Sequence, residues 1–364
     1  MARLSPSFKR LLLAAALAGL LLLGLMFRDG FGSATCADAD RDCISKAYTK
    51  HQVRYAKFWA DELAKPFTER LGPAPAALVD YLALANKADG YQGRPWAKAL
   101  DAGMLIDVRA AMADIPPDVW RLAQSRLVGI YFVEKLGSTG YTDYVLGIDG
   151  KPTHAFVVLD AEVLGWQSAN AWATWKENTP FKLTTQGAHG LRATIETPAN
   201  DNRKNAIQYI LLHELAHVIS VGRKVHPDWH LPGNLLVEKA QYPFYDLSWF
   251  FDPSKKATVS RFDASWPQRR KVAYYRTPRL EAAEKLGTYQ ALMKTNFPTL
   301  YAATTPGDDF AESLVSYVHT VRMGKPWSVT IERDGEAPQV FESCWEEARC
   351  AAKRKLLEGI LAGS

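Results

Sequence analysis

Cysteine is scarce, with four in 364 residues, and none belongs to a C-x-x-C pair. That spacing is what zinc ribbons and thioredoxin-like redox motifs need, so both are excluded. The four fall instead in two close pairs, Cys36 with Cys43 and Cys344 with Cys350. Such a pattern predicts two local disulfides formed in an oxidising compartment. Basic runs are equally sparse: beyond the N-terminus none exceeds three residues, and Lys353-Arg354-Lys355 reads as a solvated helix face. The formal charge of +5 includes +3 from residues 1–34, through Arg3, Lys9, Arg10 and Arg28 against Asp29. The remaining +2 forms no concentrated basic patch, which argues against nucleic acid as a partner.

Long apolar runs are also few. The prominent one, Leu11 to Phe27, follows Arg3, Lys9 and Arg10. A basic segment ahead of such a run is a secretory signal, with Gly32 and Ala34 placed for cleavage after Ala34. The competing reading is an uncleaved N-terminal membrane anchor, since the run just reaches the lower limit of about 17 residues for spanning a bilayer. Either way the chain is expected to be periplasmic or secreted. Ser33-Ala34-Thr35-Cys36 is a poor lipoprotein site, because Thr35 stands where a very small residue belongs.

Residues 35–126 are rich in Ala, Leu, Lys and Asp, and read as a helical N-terminal region without a chemical motif. Tyr48–Leu63 and Ala76–Lys87 have amphipathic helical patterns, and Pro66, Pro73, Pro75, Pro95 and Pro116-Pro117 mark the breaks. From Leu127 the texture changes. Leu127–Val133, Tyr141–Ile148, Ala155–Leu159 and Leu191–Glu196 read as strands, with Asp149-Gly150 as a hairpin turn. Strands followed by a mostly helical second half give an α+β order, a domain over 127–330 and a disulfide-containing tail over 331–364. The aromatic segments Trp166–Phe181 and His226–Phe251 are read chiefly as core and loop-covering residues, with a sugar- or substrate-lined groove as the alternative.

The chemistry centres on Ile207 to Ser220. This apolar run holds His213 and His217, four residues apart and therefore on one helix face, with Glu214 about 60° further round. H-E-x-x-H supplies two nitrogen ligands for zinc and a carboxylate able to take a proton from water at the metal. Without a metal, so many polar groups in so apolar a helix would be costly to bury. Asn200 or Asp201 is the expected N-cap.

A catalytic zinc takes a third protein ligand and leaves one position open. Ser220 and Arg223 stand where the metzincin continuation needs glycine and histidine, so that class is excluded. His226, Asp228 and His230 follow the helix with no motif behind them. Glu238 has a short-spacer position, but Glu312 belongs to a better ligand helix. Thr305 can cap it, Pro306 suits its first turn, and Asp308 favours the cap and dipole. Phe310, Leu314, Val318 and Val321 give it a core stripe, and Gly324 and Pro326 end it.

His213-Glu-Leu-Ala-His217 with a distant Asp309-Phe-Ala-Glu312 resembles the gluzincin class of zinc metallopeptidases. It is closest to those with the third ligand in a Phe-Ala-Glu helix, as in lethal-factor-type catalytic domains. The resemblance spans roughly residues 127–324. It implies a zincin-like fold with a small mixed sheet, one catalytic Zn2+ held by His213, His217 and Glu312, and Glu214 as general base in hydrolysing a peptide or protein substrate. No thermolysin-like N-E-x-x-S-D follows, so the transition-state stabiliser is open among Tyr301, Tyr317, His230 and His319. Asp308 or Asp309 is expected to orient a ligating imidazole, and Ala155–Leu159 to serve as an edge strand for the substrate. The alternatives are a zinc hydrolase of cell-wall peptides or amides, and a non-catalytic exported binding module with structural zinc.

Overall fold

The computed structural model describes residues 36–37, 40–91, 93–165, 167–183, 189–230 and 242–363. The secretory or anchor segment, Trp166 and Glu238 lie outside them. Among the described residues no helix is long and apolar enough to cross a membrane. Contacts divide the chain at Lys50–His51. The first unit contains the helix Arg41–Thr49, capped by Asp40, and the disulfide Cys36–Cys43.

The second unit is α+β. Its principal sheet contains β1 (Leu71–Pro73), β2 (Trp96–Ala97), β3 (Leu127–Glu134), β4 (Gly140–Leu146) and β5 (Pro152–Asp160). The order is β1-β3-β5-β4, with β2 also pairing with β3. β3 and β5 are parallel and β4 returns antiparallel on β5. Leu127–Val133 is buried at every position, which is why it reads as a continuous apolar run rather than an alternating one. Asp149-Gly150 turns β4 into β5, with Gly150 at φ 74°, a conformation that favours glycine. Two smaller sheets follow. β6 (His189–Thr194) pairs with β9 (Ser328–Arg333), which also pairs with β10 (Gln339–Glu342), and β7 (Trp249–Asp252) pairs with β8 (Ala257–Ser260).

Four expectations are corrected. β5, which contains Ala155–Leu159, is not an edge strand; it lies between β3 and β4, and β4 is the edge on that side. Residues 71–73 and 96–97, within the supposedly helical N-terminal region, supply strands to the same sheet as β3. Tyr48–Leu63 is not one helix: after Thr49 the chain makes short 3-10 turns and a single α turn, Ala60–Leu63. Trp59 is buried there and its indole N–H donates to the Val53 carbonyl at 2.6 Å, which holds the chain in a compact turn. The motif helix, Arg203–Ser220, is capped by Asn202, whose side chain accepts from the Asn205 N–H, and not by Asn200 or Asp201. Those two residues precede the cap, in and just after a 3-10 turn, Pro198–Asn200.

The motif helix is buried along most of its length and packs against β4 and the helices Ala102–Ala113, Ala169–Asn178 and Pro306–Tyr317. Trp172, Phe181, Phe244, Tyr245 and Trp249 are buried in this core, so much of the described part of both aromatic segments serves packing, while Trp229 stands edge-on to His217. The last 34 residues are not a separate tail. β9 spans the expected boundary at 330, and the helix Ala351–Ala362, which follows the Cys344–Cys350 disulfide, sends Lys353 to Asp309. Both members of that pair are fully buried, so Lys353 departs from the solvated face expected of its triplet, and the Trp249 indole N–H donates to the other Asp309 oxygen at 2.9 Å. Removing one partner strands a charge in the core, so Lys353→Met is expected to cost about 3–5 kcal/mol. Lys353→Met with Asp309→Leu should regain most of that loss, as read from the midpoints of denaturant unfolding.

Candidate metal centre

The i,i+4 spacing on the motif helix brings the two imidazoles together, with His213 Nε2 and His217 Nε2 only 3.2 Å apart. The His213 ring is fixed from behind by Glu312, whose Oε1 lies 2.9 Å from Nδ1. That contact favours a proton on Nδ1 and turns Nε2 toward His217. Burial lowers the His213 pKa, but the Glu312 carboxylate outweighs it and the net direction is up. His217 goes the other way, pushed well down by burial and by its neighbour His213.

The helix Pro306–Tyr317 supplies the acidic partner. Thr305 caps it by accepting from the Asp308 N–H at 3.1 Å, and Pro306 occupies its first turn, both as its sequence implies. Asp308 is then aimed at the histidines. Its Oδ2 accepts the hydroxyls of Thr304 at 2.9 Å and Thr305 at 2.7 Å, while Oδ1 lies 3.8 Å from His217 Nε2. His213, His217 and Asp308 each offer one ligand atom, and these atoms lie within 4.8 Å of one another. Two ligands about 2.0–2.1 Å from one tetrahedral zinc stand about 3.3 Å apart. The imidazole pair already has that separation.

Glu312 is one step removed from this group, which departs from the expectation that it ligates zinc. Its Oε1 also receives Lys176 Nζ at 2.9 Å, and its Oε2 receives the Thr299 hydroxyl at 2.6 Å. It is fully buried, and although burial opposes ionisation, Lys176 and His213 hold its pKa down to about 2. The carboxylate is therefore a permanent anion with both oxygens engaged behind His213. It does for the imidazole what Asp308 or Asp309 was expected to do. Asp309 instead faces Lys353 and Trp249.

Glu214 sits beside the histidines and is almost wholly buried. Its Oε2 accepts the Thr142 hydroxyl of β4 at 2.5 Å. Its Oε1 presses on Gly140, where a Cβ would come within 2.3 Å. Burial is the main cause of a pKa raised above the ordinary carboxylate range, the direction that suits a general base.

Two tyrosines complete the surroundings. Tyr301, one of the four candidates from the sequence, stacks on the His213 ring with centroids 5.5 Å apart. Tyr275 carries no signal in the sequence and has φ 58°, unusual for a bulky residue. Together with Thr139, Gly140, Lys176, His213 and Glu214 they line a cavity of about 20 Å³, room for a single water. Burial pushes both phenols well above their ordinary pKa, so each remains a donor at neutral pH.

The other residues singled out in the sequence are outside the ligand group. His230 is held by Asp143 at 3.0 Å and packs on Tyr144. His226 turns its Nδ1 to the Pro227 carbonyl, Tyr317 donates to Glu358, and His319 is bonded to the Ile195 carbonyl. Asp228 is outside the three-residue ligand group as well. No protein-family model matches the chain, and no curated protein or solved structure matches it.

Proposed function

We propose that the chain is an exported zinc metallopeptidase with a zincin-like catalytic region, its ion held by His213, His217 and Asp308 and its general base Glu214. The observation that carries this reading is the convergence of two imidazole Nε2 atoms 3.2 Å apart on the Asp308 carboxylate, with Glu214 on the adjoining helix position. The gluzincin resemblance carries over at His213, Glu214 and His217. It is modified at the acidic helix, where Asp308 takes the ligand role and Glu312 positions His213.

Zinc, when bound there, supplies Lewis acidity and makes water nucleophilic near neutral pH. Glu214 accepts the proton of the attacking water and passes it to the leaving amine, so that the carbon–nitrogen bond breaks as the amine is protonated. Thr142 fixes the carboxylate through Oε2. Tyr275 and Tyr301 are the nearby protonated donors for the oxygen that gains negative charge. As an edge strand, β4 offers the half-buried stretch Gly140–Thr142 for an extended substrate to pair with, giving affinity without strong sequence preference. The two disulfides support the export component, since such bonds persist in oxidising compartments.

The close approach at Gly140 gives a sharp prediction. An alanine methyl there would push Glu214 Oε1 by about 1 Å, and a misplacement of that size can cost about 10²-fold in rate. Gly140→Ala should therefore lower kcat on that order with zinc content unchanged. The reading itself is tested by incubating zinc-loaded protein with casein and with purified cell wall, with and without a chelator. Metal-dependent release of peptides from casein is expected. Chelator-resistant cleavage, or none of either substrate by fully loaded protein, would overturn it, and cleavage of cell wall alone would move the substrate class.

A further inference from the structure

A groove of about 380 Å³ adjoins the candidate centre. It is lined by Asp308, Tyr275 and Tyr301 on the metal side, and also by Arg276 and Arg279. That volume suits a short extended segment rather than a folded partner, being near the low end of the roughly 300–1,000 Å³ of ligand pockets. From the edge strand and its approach it takes Leu136, Ser138, Gly140 and Tyr141, the beginning of β4 and the residues just before it. The groove therefore lies beside the N-terminal end of that strand. A peptide paired antiparallel to β4 would place its C-terminal portion there, and one paired parallel its N-terminal portion.

Charge decides between the two directions. Arg276 is matched by Asp89 at 2.6 Å. Asp308 faces the proposed ion. Arg279 is exposed and has no hydrogen bond or ion pair among the described residues. The groove thus presents an uncompensated guanidinium, which repels an amino terminus and offers a planar fork to a carboxylate.

We propose that Arg279 forms a carboxylate-binding subsite for the part of the substrate C-terminal to the cleaved bond, so that peptides run antiparallel to β4. This rests on the metallopeptidase reading. The carboxylate is either the free C-terminus of a short peptide or an Asp or Glu side chain.

Two measurements separate the subsite from the activity. The first uses zinc-loaded Glu214→Gln protein, immobilised and exposed to N-acetylated random hexapeptides in four pools. The pools end in carboxylate or carboxamide, and contain or lack Asp and Glu; retained peptides are identified by mass spectrometry. About tenfold enrichment of a carboxylate-bearing pool over the neutral amide pool is expected, falling to parity in Glu214→Gln/Arg279→Gln. Which pool is enriched tells a C-terminal carboxylate from an acidic side chain. Enrichment that survives loss of Arg279, or no enrichment, overturns the subsite. The second measurement is hydrolysis of the same pools by the wild type. Arg279-dependent binding without hydrolysis would refute the enzymatic reading alone, and hydrolysis indifferent to the carboxylate would refute the subsite alone. Cleavage products with the acidic group on the N-terminal side of the cut would reverse the assigned direction and also refute it.

Discussion

Glu214→Gln is expected to lower kcat by about 10³-fold, within the range of 10²–10⁴ for loss of a positioned general base, while zinc stays bound at full stoichiometry. The reason is the division of labour along one turn of helix. His213 and His217 turn their Nε2 atoms toward Asp308, whereas Glu214 points to β4, where Thr142 donates to Oε2 and Gly140 makes room for Oε1. Glutamine keeps the shape and an acceptor for Thr142 but cannot take a proton from water. Steady-state kinetics beside metal analysis of the same sample would check this. Undiminished hydrolysis would remove Glu214 from the proposed mechanism, and loss of zinc would place it among the ligands.

The second large effect separates the two carboxylates of the acidic helix. Asp308→Asn keeps the acceptor for the Thr304 and Thr305 hydroxyls but removes the anionic ligand, and Asp308→Ala removes both. Zinc affinity should fall by well over about 10²-fold in either, the upper bound for loss of a residue that only orients a ligand. Glu312→Gln should fall by about 10–100-fold, the range for a group acting through an imidazole, and zinc should still load at high concentration. Competition with a chelator of known affinity reads both. Glu312→Gln also removes the nearer of the two buried carboxylates facing Lys176, leaving only Glu177 at 3.7 Å, so a loss of thermal stability is expected in that variant and not in Asp308→Asn.

What the sequence made legible was local geometry. His213, Glu214 and His217 were legible because one helix fixes their relation, and helical spacing needs no knowledge of the fold. The strands around Leu127, Tyr144 and Phe156 were legible for a similar reason, as apolar runs bounded by turn residues. The placement of the two carboxylates of the acidic helix was not. Asp308 and Glu312 are four apart and share a helix face, so periodicity cannot tell which reaches the metal position. That depends on partners brought from elsewhere: Lys176 and Thr299 engage Glu312, and Thr304 and Thr305 aim Asp308. Strand order is likewise a long-range property. β5 looked like an edge until β4 folded back outside it. Residues 71–73 and 96–97 are too short to announce themselves as strands before β3 pairs with them.

The central claim is that two imidazoles and the carboxylate of Asp308 grip one ion. Crystals of the zinc-loaded protein, measured above and below the zinc absorption edge, test it most directly. The account predicts one anomalous peak about 2.0–2.2 Å from His213 Nε2, His217 Nε2 and an oxygen of Asp308, with Glu312 still bound to His213 Nδ1. A peak coordinated by Glu312 in place of Asp308, or no peak between the two histidines, would contradict it.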